Sequence, residues 1–259
     1  MANADNNLIL CEREGHCARI TINRPEVRNA LSLPTLLRLR EVLAEIAADS
    51  GVWTVLVTGA GEKSFCAGAD LKERRGMDES QVREFVANIS GAMNDLANLP
   101  QPTLAYINGH ALGGGCELAL ACDLRVMHED ALIGLPETGL AIIPGAGGCV
   151  RLPRLVGSAR AKELILLARR IDANQALEHG LINFVGGAEL AAEVLDELGL
   201  KGPLALRAAK AAIDGGQGLS TEAALALEAS CYQTIVKTSD RVEALNAFME
   251  KRAPRFSGK

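Results

Sequence analysis

The sequence is poor in aromatic residues. One Trp, two Tyr and five Phe make up 3% of its 259 residues. That is too few for the base-stacking platforms of single-strand nucleic-acid binders. An excess of positive charge is also missing. Lys and Arg number 27 against 32 Asp and Glu, a formal net charge of −5, whereas nucleic-acid binders are usually basic. The seven cysteines (Cys11, Cys17, Cys66, Cys116, Cys122, Cys149 and Cys231) form no CxxC pair, and their number is odd. They read as small buried thiols of a reducing compartment, not as a disulfide framework. His16, His110, His128 and His179 are scattered without metal-ligand spacing, so no metal is expected. No apolar run is long enough to span a bilayer, and no membrane partner is expected. The N-terminal MetAlaAsnAlaAspAsnAsnLeu lacks a basic region followed by an apolar core. The chain therefore reads as cytoplasmic, although a matrix protein stripped of its transit peptide would read the same.

What is present is ordinary globular material. Hydrophobic residues make up 48% and charged residues 23%, enough for a large core. Cys17 to Ile22 alternates as a strand, and Asn23 to Glu26 is a turn. Ser32 is a candidate N-cap, with Pro34 in the first turn of a helix that carries Leu36, Leu39, Leu43 and Ile46 on one stripe. Trp53 to Thr58 reads as a buried strand and Gln81 to Leu99 as a helix. Thr103 to Ile107 and Leu124 to Met127 read as strands, with a helix from Glu117 to Ala121 between them. Small β–β–α steps thus recur. After Gly157, alanine- and leucine-rich helices dominate (159–168, 173–180, 204–214, 221–236 and 240–251), with one late strand from Leu181 to Val185.

Chemistry concentrates around Gly113-Gly114-Gly115-Cys116-Glu117. A carboxylate at the entrance of an apolar helix is costly unless it is solvated, bonded or used. Glycines leave backbone N–H groups open to a close ligand. Ala67-Gly68-Ala69-Asp70 has the same form, small residues after a strand. If the two meet, one amide from each could hold a carbonyl oxygen as an oxyanion hole. Either alone reads as a tight turn. Glu137, in Gly134-Leu135-Pro136-Glu137-Thr138-Gly139, is a second carboxylate. By itself it reads as a solvated loop residue; beside Glu117 it could divide acid and base roles. Spacing alone does not bring them together.

These stretches, with Asn23-Arg24-Pro25-Glu26-Val27-Arg28-Asn29-Ala30-Leu31, Phe65 to Leu71, Ile107 to Leu124, and Ile143-Pro144-Gly145-Ala146-Gly147-Gly148, resemble the crotonase (enoyl-CoA hydratase/isomerase) superfamily, in its order and over nearly the whole chain. The resemblance implies an α/β fold: a spiral core of ββα units over 1–200 and a C-terminal helical trimerisation region over 201–259. Trimers, often paired into hexamers, are implied. The substrate would be an acyl-CoA thioester, its carbonyl held by the N–H groups of Ala69 and Gly114. Glu117 would activate or receive water, and Glu137 would exchange the α-carbon proton. No cofactor is needed, because acid, base and oxyanion donors suffice. Arg28, Cys66, Ala67, Asp70 and Leu71 match segments that line the CoA moiety. Tyr232 and Lys251 match positions that reach the nucleotide from a neighbouring subunit.

Within the superfamily the sequence most resembles the 3-methylglutaconyl-CoA hydratases, the group that includes an AU-rich-RNA-binding homologue. The carrying stretches are Cys66 to Arg74, Glu117 to Val126, Leu140 to Gly145 and Lys251 to Phe256. Such a substrate ends in a free carboxylate, for which Lys72, Arg74 and Arg75 are the candidate cations. Broad short-chain hydration and double-bond isomerisation are the alternative activities. The helix after Asn29-Ala30-Leu31-Ser32 keeps only Arg38 and Arg40 and adds Glu41, Glu45 and Asp49. That charge suits phosphates poorly, so no nucleic-acid partner is expected.

Overall fold

The computed structural model describes residues 7–259. Strands β1 (Ile9–Glu14) and β2 (Cys17–Ile22) pair antiparallel, and helix α1 (Leu33–Ala48) follows. Ser32 caps α1 by accepting from the Thr35 amide, and Leu36, Leu39, Leu43 and Ile46 are all buried. The sequence stripe is therefore the core face.

A strand–strand–helix step then repeats three times. First come β3 (Thr54–Gly59), β4 (Ser64–Cys66), α2 (Leu71–Arg74) and α3 (Glu79–Ala97). Next come β5 (Thr103–Ile107), β6 (His110–Leu112) and α4 (Gly114–Leu120). Then come β7 (Leu124–Met127), β8 (Leu132–Gly134) and α5 (Gly148–Leu166). They are followed by β9 (Arg170–Asp172), α6 (Ala173–Glu178), β10 (Phe184–Val185) and α7 (Ala188–Gly199). The first strand of each step enters a six-stranded sheet, β1-β2-β3-β5-β7-β10. The second enters a four-stranded sheet, β4-β6-β8-β9. Successive steps pair parallel in both sheets. Each step is one turn of a spiral, and each turn ends near the same edge.

Every position of β3 is buried, as expected for a parallel strand covered on both faces. On one face Ile20, Val57, Phe65, Leu39, Met93 and Leu118 join the sheets to α1, α3 and α4. On the other, Leu56, Leu104 and Val126 pack against Ala191 and Val194 of α7. Each fully buried side chain of this size contributes ~1.5–3 kcal/mol over the exposed state.

The structure departs from the sequence reading in several places: α5 begins at Gly148 and not near 159, and Cys11 and Cys149, read as buried thiols, are exposed. The strands of the smaller sheet have three residues each, too short to show a period. The late strand covers only Phe184–Val185, and α7 was not anticipated. Two of the three glycines lie inside α4; only Gly113 has a positive φ, 55°.

Helices α8 (Pro203–Gly216) and α9 (Thr221–Ile235) pack as a hairpin, and α10 (Ser239–Met249) follows. Lys210 Nζ pairs with Asp123 at 2.8 Å, and Arg207 donates to the Val52 carbonyl at 2.8 Å, tying α8 to the core. Buried Asp240 accepts from the Ser257 and Gly258 amides at 2.7 and 2.8 Å and fastens the C-terminal tail. Among the described residues no helix is long and apolar enough to cross a membrane.

Candidate active site

The chain leaving β4 pairs with the segment before α1. Ala67 N–H donates to the Arg28 carbonyl, Leu31 N–H to the Gly68 carbonyl, and Asp70 N–H to the Leu31 carbonyl. This brings the 67–70 loop against the start of α4. A Cβ at Gly68 would sit 2.7 Å from the Leu112 carbonyl and 3.0 Å from Gly114 N. A Cβ at Gly114 would sit 3.5 Å from Ala69 N, and one at Gly115 would overlap the Cys66 carbonyl. Glycine is required there so that α4 can approach β4. The Ala69 and Gly114 amides are thus neighbours, and neither donates a hydrogen bond within the described residues.

One turn along α4, Glu117 is 2% exposed. Its Oε1 accepts from the Ala146 amide at 2.7 Å and the Gly148 amide at 2.9 Å. Burial raises its pKa, while these two amides and the nearby Arg151 charge oppose the rise. The costly carboxylate is therefore bonded. Glu137 opens a 3-10 turn, Glu137–Leu140. Its Oε1 lies 3.0 Å from where a Gly113 Cβ would be, which places it beside the same glycines. Its Oε2 is buried without a partner. Burial, aided by the Glu117 charge, pushes its pKa up to about 7. Burial raises both carboxyls, but two amides bond Glu117 while Glu137 Oε2 has no partner, an asymmetry suited to separate acid and base roles.

Ala69, Gly114, Glu117 and Glu137 open onto one cleft of about 1440 Å³. Val82, Phe85, Val86 and Ile89 of α3 give it an apolar lining. Ala67 and Leu71 also line it. Of the three candidate cations only Arg74 does so, its guanidinium 5.7 Å from the Phe85 ring centre; Lys72 and Arg75 lie outside the lining. Cys66 is fully buried below the cleft, its thiol pushed up to about 12 by burial. The Asp70 carboxylate caps α2, accepting from the Lys72 and Glu73 amides, and pairs with Arg24 at 3.1 Å. Arg28 lines a separate hollow with Lys63, Asn108, His110 and His128. Tyr232 on α9 and Lys251 after α10 are exposed and lie outside the cleft of their own chain. Arg38 is bonded to Glu41 and Glu45, and Arg40 to Asp95, so both cations of α1 are already paired.

Sequence reasoning missed Arg151, Arg154 and Arg170, which also line the cleft. It also missed the Ala146 and Gly148 amides as partners of Glu117. The only signal was the Pro144 to Gly148 glycine loop that runs into a basic helix start.

Two unbonded amides and two glutamates beside them on one apolar cleft are an arrangement suited to acid–base chemistry on a carbonyl substrate. The family model described as enoyl-CoA hydratase/isomerase matches residues 12–259, and the chain belongs to that family, within the crotonase superfamily. It is accordingly an enzyme of the hydro-lyase class, and the substrates of its family are acyl-CoA thioesters. The crystal structure of an enoyl-CoA hydratase from Bacillus anthracis superposes with a TM-score of 0.95 at 48% identity, covering 97% of this chain and 100% of that one. The mitochondrial methylglutaconyl-CoA hydratase of Mus musculus is 47% identical over 92% of this chain and 78% of that protein. The short-chain-enoyl-CoA hydratase of Clostridium acetobutylicum is 44% identical over 95% of this chain and 96% of that protein.

Proposed function

We propose that the chain adds water reversibly to a 2-enoyl-CoA, with 3-methylglutaconyl-CoA as its substrate. The observation that carries the hydration is the pair Glu117 and Glu137, unequally bonded and set beside the Ala69 and Gly114 amides. The two N–H groups hold the thioester oxygen and gain strength as charge moves onto it. Ionised Glu117 takes a proton from water as its oxygen bonds to C3. Protonated Glu137 delivers its proton to C2. The cycle closes when Glu117 releases its proton and Glu137 regains one. Reversal of these steps is dehydration. Isomerisation needs only one such carboxylate, and this site presents two.

Hydration therefore requires Glu137 protonated and Glu117 ionised. The kcat/KM profile is expected to be a bell. Activity falls as pH rises through about 7, where Glu137 loses its proton. It falls again at low pH, as Glu117 gains one. A profile still rising above pH 8 would remove Glu137 as the proton donor.

The assignment of the acyl group draws on the likeness to the Mus musculus methylglutaconyl-CoA hydratase and on Arg74 at the cleft. Its test is a panel of crotonyl-, 3-methylcrotonyl-, 3-methylglutaconyl- and 3-hydroxy-3-methylglutaryl-CoA. The glutaconyl thioester is expected to show the highest kcat/KM. Arg74→Ala is expected to lower its advantage over crotonyl-CoA by about tenfold, the worth of one charge-assisted hydrogen bond. A preference for crotonyl-CoA would return the chain to broad short-chain hydration.

Trimers or hexamers are part of this reading. Helix α9 buries no residue, and Ile213, Leu225, Val242, Leu245, Phe248 and Met249 leave large apolar side chains exposed on α8 to α10. Such a surface fits a subunit interface. A monomer by light scattering would sink this part.

A further inference from the structure

Ala146 is gripped through both backbone polar groups. Its N–H donates to Glu117 Oε1 at 2.7 Å, and its carbonyl accepts from Arg151 Nη1 at 3.0 Å. The second donor to Glu117, the Gly148 amide, lies three residues before Arg151 on the first turn of α5. The other arm of the guanidinium, Nη2, donates to Asn94 Oδ1 at 2.7 Å and to the Met93 carbonyl at 3.5 Å. One side chain thus ties α3 to the loop that bonds Glu117. The seat is shaped for it: Gly147 has φ 109°, and a Cβ there would overlap Arg151 Nη1. All three side-chain bonds of Arg151 go to neutral acceptors, so its charge has no bonded counter-ion.

We propose that Arg151 is a positioning residue that keeps Glu117 the ionised member of the pair, by fixing the Ala146 and Gly148 amides on Oε1 and by supplying an uncompensated positive charge beside it. The proposal rests on the hydration reading. The surroundings of Glu117 leave this task to Arg151. Glu137, on the 3-10 turn beside the same glycines, brings no positive charge. Cys149 on α5 and Cys116 on α4 are thiols whose pKa values burial raises, so both stay neutral. Arg154 faces Arg151, and α3 presents the neutral Asn94 and Ser90 to the cleft. Arg151 is the cation whose charge favours ionised Glu117.

The test has two readouts, one independent of turnover. The first is a ¹³C-carboxyl NMR titration of Glu117, assigned by the signal that Glu117→Gln removes. Arg151→Met is expected to raise the Glu117 pKa by about one unit, and Arg151→Lys to restore most of it, because Lys keeps charge but not the two-armed grip. The second is hydration kinetics. Arg151→Met is expected to lower kcat by about tenfold or more, move the acid limb up by the same unit, and change KM less than about threefold. Asn94→Ala is expected to act in the same direction more weakly and to add little to Arg151→Met, since both cut one chain of contacts. A Glu117 titration unmoved in Arg151→Met overturns the proposal. So does a loss confined to KM for carboxylated thioesters, which would make Arg151 a substrate contact. If Arg151→Met melts cold, Asn94→Ala decides: a native acid limb together with a native kcat in that variant overturns the proposal. A native chain that hydrates no enoyl thioester defeats the hydration reading instead, and the titration still reports on Arg151.

Discussion

Glu117→Gln and Glu137→Gln are each expected to lower kcat for hydration by ~100-fold or more, the usual contribution of a positioned acid or base. Glutamine at 117 keeps an oxygen for the Ala146 and Gly148 amides, so the loop that bonds it stays in place. It cannot take a proton from water. Glutamine at 137 fills the same space beside Gly113 but carries no transferable proton. KM is expected to change little, because the losses fall on the transition state and not on binding. The double variant is expected to be scarcely worse than either single one, since the two groups act in one proton relay. A stopped assay on the conjugated thioester measures all three. Near-native turnover in either single variant would take that residue out of the mechanism.

Gly115→Ala is expected to cost about as much without touching an ionisable group. The new methyl would overlap the Cys66 carbonyl. That is a backbone atom of β4 and cannot rotate aside. Helix α4 must back away from the strand, and it carries the Gly114 amide away from the Ala69 amide. Losing one oxyanion donor costs ~100–1000-fold in turnover, and a misplacement of ~1 Å can cost ~100-fold. Overpacking should also remove ~1–3 kcal/mol of stability, visible as a lower melting temperature. The basic limb of the pH profile is expected to stay near 7, because Glu137 sits on a different element. A kcat within about threefold of native would mean that the two amides do not cooperate on one oxygen.

Local chemistry makes part of this molecule readable from the chain alone. Ser32, Pro34 and the apolar stripe of α1 act within a few residues of one another, so the helix and its buried face follow from the chain alone. The same holds for β5 and β7, whose apolar runs match their observed bounds. The short strands of the second sheet could not be read this way. Ser64–Cys66, His110–Leu112 and Leu132–Gly134 are extended because each pairs with its counterpart one spiral turn away. Nothing within three residues encodes that.

The site divides along the same line. By itself the sequence determined the inventory: two glutamates, two small-residue segments that can present bare amides, and a resemblance that links them. Only the tertiary structure gave the two glutamates different surroundings. Both have the same intrinsic acidity, but Glu117 is buried and meets two amides 29 and 31 residues downstream, whereas Glu137 is half-buried and its Oε2 meets none. Only the tertiary structure chose Arg74 from its basic neighbours, because the single turn of α2 aims one of them at the cleft. Only it placed Arg151 between Ala146 and Asn94, two partners from different turns of the spiral. Burial and long-range hydrogen bonds set proton affinity, and both are properties of the folded chain.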